Sequence, residues 1–447
     1  MKIYIDLLKA NRNFRLLFAG QAISQLGDWF NSVAVYALLL DLTGSATAVA
    51  GMLIVQFLPV ALVGPLAGVV VDRVDRRRVM IVADIVRGVL IVGLLLVRRS
   101  DQVWIAYVVM ALVVAASAFF EPARTATIPN VTSAAELLPA NALSAATWSA
   151  MLAIGASVGG LVTAAFGRDV AFVVNAASFF CSAICLANTR YDSTPVATTR
   201  VEATTTVARG STLRRVAALS GVADLVDGLR YVRGQSYVAA LICVKAGWGL
   251  AGGVLLLLAV FGQRVFTIGQ GSAAGIGVLY GARGVGAGLG PIALRWILGQ
   301  QPARLRRTIG PAFFMVGAFY MVLAGAPTLA LAATCVLFAH FGGSILWVFS
   351  TVLLQLEVPD RFRGRVFAAE LALVTLVTSL SSYFTANALD RHGWSPRALS
   401  FTLGALFVVP GILWLLFPAR WQVHDHMPGH PAATPSAEES VLEGRIG

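Results

Sequence analysis

The sequence predicts an all-α integral membrane protein with twelve transmembrane helices in two six-helix halves and both termini in the cytoplasm. Of its 447 residues 57% are hydrophobic and only 13% are charged, whereas soluble domains carry about 25% charged residues. Its apolar runs last at least 18 residues, although strands of a membrane barrel need only about ten residues with alternating polarity. Because only helices and closed barrels satisfy their backbone in hydrocarbon, these runs predict helices.

Twelve apolar runs divide into two groups of six. They lie near 15–41, 45–71, 79–97, 103–121, 141–167, 169–188, 236–262, 271–298, 308–325, 328–356, 365–389 and 397–418. The sequence therefore predicts an N-terminal half at 1–188, a cytoplasmic linker at 189–235 and a C-terminal half at 236–418. Apolar residues at helical spacing opposite arginines predict an amphipathic helix within the linker. The tail at 419–447 has the composition of a disordered segment.

The basic residues predict the orientation of the chain in a bacterial-type plasma (inner) membrane. Under the twelve-helix assignment, 25 of the 34 Lys and Arg lie at the termini and in the loops on the same side. Cytoplasmic loops carry the excess of basic residues, so this side is expected to be cytoplasmic. The net charge of +12 is explained by the basic residues on one face of the membrane. The sequence has no module in which basic and aromatic residues alternate, so no nucleic-acid partner is predicted.

One face of the first helix is polar along its length. Gln21, Ser24, Gln25, Asp28, Asn31 and Ser32 fall within an arc of about 120° at 100° per residue. Lipid cannot solvate such a face, so it is expected to line water, substrate or another polar helix. Burial disfavours an ionised carboxylate, which makes Asp28 the candidate proton site, with Gln21, Gln25 and Asn31 as candidate cavity-lining residues.

Three further ionisable residues lie within predicted helices. Lys245 in helix seven is the positional counterpart of Asp28, so the two are candidates for proton or substrate coupling or, alternatively, for a static ion pair. Arg283 in helix eight is a candidate for meeting an anionic substrate or relaying a proton. His340 in helix ten is a candidate proton relay or a hydrogen-bonded packing residue.

Three tryptophans are candidates for an aromatic wall around a bulky amphipathic solute. Trp29, Trp248 and Trp347 each lie within a predicted membrane helix. The alternative interpretation is that they are packing residues of the bundle.

A charged loop between helices two and three carries a family resemblance. The segment Gly68-Val69-Val70-Val71-Asp72-Arg73-Val74-Asp75-Arg76-Arg77-Arg78 resembles the loop signature of the major facilitator superfamily, with Asp75 where that signature usually has Gly. Within the superfamily the chain is similar to the bacterial exporter branch that contains macrolide efflux proteins and the enterobactin exporter. That similarity is carried by the segments Gln25-Leu26-Gly27-Asp28-Trp29, Glu121-Pro122-Ala123-Arg124, Asp227-Gly228-Leu229-Arg230-Tyr231-Val232-Arg233 and Arg363-Gly364-Arg365-Val366-Phe367.

The resemblance implies two rocking halves around a central cavity and a cytoplasmic gate. It implies that Asp72 and Arg73 latch the outward-facing state, and Asp84 and Arg87 are near enough in sequence to join a local network with them. These charges alternatively only set the topology. Glu121 and Arg124, expected at the end of helix four, belong to the same gate or cap that helix.

The function predicted from these features is proton-coupled export, by antiport and alternating access, of an amphipathic drug, siderophore or lipid-like molecule. Import or lipid flipping by the same fold is the first alternative, and a non-transporting membrane scaffold or sensor is the second. The sequence shows no nucleotide-binding loop and no combination of a nucleophile with a base, so it does not predict an enzyme. The expected partners are a small-molecule substrate, protons and the lipid bilayer, with no cofactor, no metal and a monomeric state.

Overall fold

Helices make up every regular element of the residues that the computed structural model describes, namely 2–190, 230–268, 273–298 and 301–416. We number them α1 Lys2–Ala10, α2 Arg12–Thr43, α3 Ala46–Arg73, α4 Arg76–Val92, α5 Val103–Val131, α6 Ala134–Phe166, α7 Arg168–Ala187, α8 Ser236–Leu250, α9 Val254–Arg264, α10 Ala273–Leu298, α11 Pro302–Ala324, α12 Leu329–Glu357, α13 Asp360–Asp390, α14 Pro396–Leu406 and α15 Val408–Leu416. The predicted linker and tail lie almost wholly outside the described residues. Of the linker, the turn that ends at Arg233 is described, and its Tyr231 stacks on Phe362 of α13 with ring centroids 4.5 Å apart.

Ten segments of the described residues are long and apolar enough to cross a membrane. They correspond to ten of the twelve predicted helices. The two others, α2 and α10, have 32 and 26 residues and thus reach beyond the roughly 30 Å of a hydrocarbon core. Their lower hydropathy follows from their sequences, since α2 carries the polar face and α10 carries Arg283 among many glycines.

Two predicted helices are broken in the structure, and several helices extend beyond their predicted limits. The predicted helix at 236–262 is broken between α8 and α9, and the one at 397–418 is broken between α14 and α15. Helix α5 continues to Val131 and α6 begins at Ala134, beyond the predicted apolar limits of 121 and 141. The physical reason is that hydropathy marks the part of a helix suited to hydrocarbon, while backbone hydrogen bonding continues past it.

The helices pack first within each half and then across two seams. In the N-terminal half α2 packs on α6 and α7, and α5 packs on α3 and α4; in the C-terminal half α12 packs on α10 and α11, and α8 packs on α12 and α13. The seam between α6 and α10 is the most extensive helix contact of the described residues, and α3 with α13 forms the second seam. Any relative motion of the halves must therefore act on these two seams.

Glycines bring the backbones of α6 and α10 into direct contact. A Cβ atom added to Gly277 would lie 2.7 Å from the carbonyl oxygen of Ala156 and 2.8 Å from the Cα of Gly160. Both distances are shorter than van der Waals contact, so any larger residue at Gly277 would separate the helices.

One end of the molecule is held closed by a hydrogen-bonded cluster between the halves, which we call the Asp390 cluster. The carboxylate of Asp390, at the end of α13, accepts hydrogen bonds from the backbone N–H of Ala46 at 3.1 Å and of Thr47 at 2.7 Å, and from the hydroxyls of Ser45 and Thr47 at 2.7 and 2.8 Å. Arg264, at the end of α9, donates to the carbonyl of Gly44 at 2.7 Å and lies 3.6 Å from Asp390. The carboxylate thus caps the N-terminus of α3 from the opposite half.

At the other end of α3 and α13, the helices leave open space. Cβ atoms added to Gly64, Gly68 or Gly364 would meet no heavy atom within 4 Å. Along the second seam the halves therefore touch at the end that contains Asp390, and this seam does not continue as a close contact at these glycines.

Candidate transport site

A buried ion pair lies inside the N-terminal half. The guanidinium of Arg87 donates to the carboxylate of Asp84 one turn away on α4, and both residues are buried. The same guanidinium lies 4.4 Å from the ring centroids of Phe120 and Phe179 and 3.3 Å from the hydroxyl of Ser117. An ion pair, two aromatic faces and a hydroxyl together compensate for the water that the charge has lost.

Asp84 and Arg87 belong to the predicted cytoplasmic gate. Asp84 and Arg87 do form the expected local pair, but they lie among α4, α5 and α7 rather than at the surface of the α3–α4 loop. Arg73 is exposed at the end of α3, and the side chain of Asp72 lies outside what the structure describes. A gate role stays a prediction for Asp72 and Arg73, as it does for Asp84, Arg87, Glu121 and Arg124.

A second ion pair links α5 to α2. Arg124 donates to the carboxylate of Glu121 at 2.8 and 3.1 Å and to the side-chain oxygen of Gln21 at 3.0 Å. Since α5 continues to Val131, the expectation that these two residues end or cap the helix was wrong. The arginine instead joins two helices within the half.

Asp28 lies beside these two pairs. Its electrostatic neighbours are Arg87, Asp84 and Glu121, and its side chain is partly buried. Neither of the two guanidinium groups forms an ion pair with it among the described residues; each is paired with another carboxylate. We call Asp28, Asp84, Arg87, Glu121 and Arg124 the N-half cluster.

Much of the polar face of α2 meets protein rather than an open space. Gln21 is buried and donates to the carbonyl of Ser144 at 3.1 Å, and Asn31 is buried with its amide nitrogen 3.2 Å from the sulfur of Met110. The prediction that Gln21 and Asn31 line a cavity was therefore wrong, because neighbouring helices of the same half cover them. Gln25 is only partly buried, and its place at the cavity stays a prediction.

A third ion pair lies in the C-terminal half. The ammonium of Lys245 on α8 donates to the carboxylate of Glu370 on α13 at 2.7 Å and to the hydroxyl of Thr351 on α12 at 2.8 Å. It also lies 4.8 Å from the ring centroid of Trp347. The alternative of a static pair between Asp28 and Lys245 was wrong, since the lysine is paired within its own half. We call Lys245, Thr351, Glu370 and Trp347 the C-half cluster.

The predicted tryptophans form two separate pairs. Trp248 packs edge-on against Trp347 at 6.2 Å, and Trp29 packs edge-on against Trp148 at 5.8 Å. Trp148 and Trp347 are each 43% exposed. There is therefore one half-exposed aromatic pair in each half instead of one continuous wall of three residues.

Arg283 connects the halves. It belongs to α10, yet its guanidinium carbon lies 5.8 and 5.9 Å from the ring centroids of Trp29 and Trp148 in the other half, and 5.5 Å from that of Tyr280. Aromatic faces attract a cation at these distances. The predicted intramembrane cation thus lies at the interface of the halves, where a substrate or a conformational change could displace it.

His340 occupies a packing position. Its Nε2 atom is 2.9 Å from the hydroxyl of Tyr320 on α11, and both side chains are buried. Of the two predicted roles, this contact favours the hydrogen-bonded packing residue.

Three important residues were missed by the sequence reasoning. Glu370 lies within a predicted membrane helix, and a carboxylate in such a position is a candidate functional residue by default, so this signal was present. Trp148 also lies in a predicted helix, but nothing in the sequence distinguishes it from a packing tryptophan. The role of Asp390 follows only from the approach of α3 and α13.

Comparison with known proteins identifies the family. Residues 17–370 match the model of the Major Facilitator Superfamily. The chain belongs to this superfamily. The resemblance seen in the loop signature is thereby confirmed, and the protein is a multi-pass transporter of the bacterial inner membrane, not an enzyme.

Its relatives include several efflux proteins. The chain is 26% identical over 435 residues to the uncharacterized MFS-type transporter YfiS of Bacillus subtilis, which covers 92% of this chain and 94% of that protein. It is 25% identical over 405 residues to the multidrug efflux pump Tap of Mycolicibacterium fortuitum, covering 88% and 92%. A segment of 118 residues, 26% of this chain and 29% of the relative, is 32% identical to macrolide efflux protein A of Streptococcus pyogenes.

Solved structures confirm the fold. A crystal structure of peptide transporter POT in complex with sulfate superimposes with a TM-score of 0.69 at 12% identity, covering 91% of this chain and 94% of the other. The in meso crystal structure of the POT family transporter PepTSo gives 0.68 at 12% identity, covering 93% and 99%.

Proposed function

We propose that this chain is a proton-coupled exporter of amphipathic small molecules. It works as a monomer with twelve transmembrane helices. These are the ten long apolar segments together with the less apolar α2 and α10. Both of its termini lie in the cytoplasm. Its two halves, 1–188 and 236–418, rock about the α6–α10 and α3–α13 seams.

The charge balance of the N-half cluster carries the proposal of proton coupling. The cluster contains three carboxylates, those of Asp28, Asp84 and Glu121, and only two guanidinium groups. Arg87 is paired with Asp84, and Arg124 is paired with Glu121. Asp28 is left as a partly buried carboxylate beside two others. Binding one proton at Asp28 makes the cluster neutral, which removes the cost of holding an excess charge away from water.

Export is supported by the relatives and by the form of the site. Two of the relatives described above are named efflux proteins. The half-exposed tryptophan pairs, with Arg283 between the halves and Lys245 in the C-terminal half, provide apolar faces next to cations. Such surroundings fit a solute with an aromatic or apolar body and a polar or anionic group.

The proposed orientation assigns a conformation to the structure. Under it the Asp390 cluster closes the periplasmic end, and the open space beside Gly64, Gly68 and Gly364 lies at the cytoplasmic end. The structure then corresponds to a cytoplasm-facing state that is ready to bind solute from inside the cell. Export requires the Asp390 cluster and the α6–α10 seam to open in a later step.

Transport in everted membrane vesicles tests this function. With an imposed gradient that makes the vesicle lumen acidic, vesicles that contain the protein should accumulate an anionic aromatic dye above control vesicles. Dissipating the gradient should abolish accumulation, and Asp28→Asn should lower its initial rate by on the order of tenfold or more. Asp101→Asn, in an exposed loop, is the matched control and should retain transport.

Each contrary result excludes a stated part of the proposal. Uptake only into right-side-out vesicles would show an importer, and full transport by Asp28→Asn would exclude Asp28 as the coupling site. A protein that moves no member of a broad panel, while Asp28→Asn leaves the drug sensitivity of cells unchanged, would support the scaffold or sensor.

A further inference from the structure

The C-half cluster contains unused hydrogen-bonding capacity in a buried position. Lys245 and Glu370 are 5% and 3% exposed. An ammonium group has three N–H donors, and among the described residues Lys245 donates to only two oxygens, those of Glu370 and Thr351. Oxygen Oε1 of Glu370 is buried without a hydrogen-bond partner. Since buried polar atoms are normally satisfied, this pair can still take a further polar partner.

The cluster adjoins an exposed aromatic face that does not point towards lipid. Phe338 and Leu331 are exposed on one side of α12, as expected of a side that faces acyl chains. Trp347 follows Phe338 by nine residues, which at 100° per residue places it about 180° from Phe338 around the helix. Its 43% exposure therefore opens towards the inside of the bundle.

The geometry points to a binding site in the C-half cluster for an amphipathic aromatic carboxylate. Its carboxylate would accept from the ammonium of Lys245, and its ring would pack on Trp347 with Trp248 behind it. Phe367, whose ring centroid lies 5.9 Å from the ammonium, adds a second aromatic surface. This inference rests on the proposed function and names the substrate class for that transporter.

Binding of the anion is balanced by a proton on Glu370. In the structure Glu370 neutralises Lys245, so a second carboxylate would give the site an excess negative charge. If Glu370 takes up one proton, its bond to the ammonium is weakened and the ligand carboxylate replaces it as counter-ion. Lys245 is the charged group that acts on Glu370 from α8, and no charged side chain of α12 contributes to its described surroundings.

Equilibrium binding of a matched pair of probes tests the site. The probes are radiolabelled 2-naphthoate and 2-naphthylmethanol, which share their ring system and differ in charge; binding is measured to protein in lipid nanodiscs, and binding to empty nanodiscs is subtracted. The protein should bind naphthoate at least about tenfold more tightly than the alcohol, because hydrogen bonds to a charged group exceed those to a neutral one. Equal affinity for the two probes would overturn the proposal.

Substitutions in the C-half cluster show which side chains contribute to the affinity for each probe. The double variant Lys245→Met with Glu370→Met removes both charges and leaves no unpaired one, and it should bind the two probes equally. Glu370→Gln, which mimics the protonated acid, should bind naphthoate about tenfold more tightly than the unmodified protein because the competing carboxylate is gone. Trp347→Ala should weaken both probes alike, by about three- to tenfold.

A second pair provides the control. The double variant Arg98→Gln with Asp169→Asn removes an exposed ion pair between the α4–α5 loop and α7 and should leave binding of both probes unchanged. A preference for naphthoate over the alcohol that survives in the Lys245→Met with Glu370→Met variant would overturn the site. Because the assay uses no gradient, binding without transport would contradict the proposed function alone, and transport without this binding would contradict the site alone.

Discussion

Arg87 and Asp84 illustrate the cost of a charge inside a helix bundle. Both are buried, and the arginine also lies against Phe120 and Phe179. Removing one member of a buried pair leaves its partner charged without compensation, whereas removing both leaves none. Single and double substitutions at this pair should therefore differ sharply.

The single variant Asp84→Leu should lower the free energy of unfolding by about 3 to 5 kcal/mol. The double variant Asp84→Leu with Arg87→Met should recover most of this loss, since Met occupies much of the arginine volume without its charge. Thermal denaturation of the purified protein, followed by the fraction that stays monodisperse, measures the difference. Equal destabilisation of the two variants would show that packing and not charge determines the stability of the pair.

At the scale of helices, the α6–α10 seam depends on the absence of side chains. A Cβ atom at Gly277 would lie within 2.8 Å of backbone atoms of α6, so bulk at this position acts only on the state in which the helices touch. A substitution here is expected to shift the equilibrium between closed and open states of this end more than it disturbs either half.

Gly277→Val should favour opening of the Asp390 end. The separation of the halves is measured between spin labels on Asp101→Cys and His392→Cys, which are exposed loop positions at this end. The four native cysteines are first replaced by serine. The measured distance distribution should move to longer distances in Gly277→Val. Gly325→Ala is the control, because its added Cβ would meet its nearest atom at 3.7 Å; an equal shift in both variants would contradict the role of the seam.

The Asp390 cluster gives an independent prediction at the same end. Asp390→Ala removes four hydrogen-bond contacts to α3 and the negative partner of Arg264. Hydrogen bonds to a charged group contribute about 1.5 to 3 kcal/mol each when fully formed, so the open population should rise by at least about tenfold. The same spin-label pair measures the change, and a distance distribution identical to that of the unmodified protein would show that the seam alone holds this end closed.

For the whole molecule, the proposed orientation places the two sets of loops on opposite sides of the membrane. The loops near Asp101 and His392 belong to the Asp390 end, and Arg78 lies beyond the other end of α3. In intact cells, a membrane-impermeant maleimide should label cysteines at Asp101 and His392 and should reach a cysteine at Arg78 only after the cells are opened. Labelling in the reverse pattern would place the termini outside the cytoplasm.

The sequence by itself determined the fold class, the family and the approximate places of the helices. Hydropathy and helical period are local properties, and the requirement that backbone be satisfied in hydrocarbon converts them directly into helices. The same local reasoning marked Asp28, Lys245 and Arg283 as candidate site residues, since a charged residue in an apolar run stands out by composition alone.

Only the tertiary structure decided which partner each of these residues has. Lys245 pairs with Glu370, 125 positions away, and Gln21 with Arg124, 103 positions away. A polar stripe on one helix requires a polar partner but does not specify whether that partner is water or another helix, so Gln21 and Asn31 were assigned to a cavity and proved to be packed. Which faces meet is fixed by close contacts such as that of Gly160 with Gly277, and these depend on the simultaneous fit of many helices.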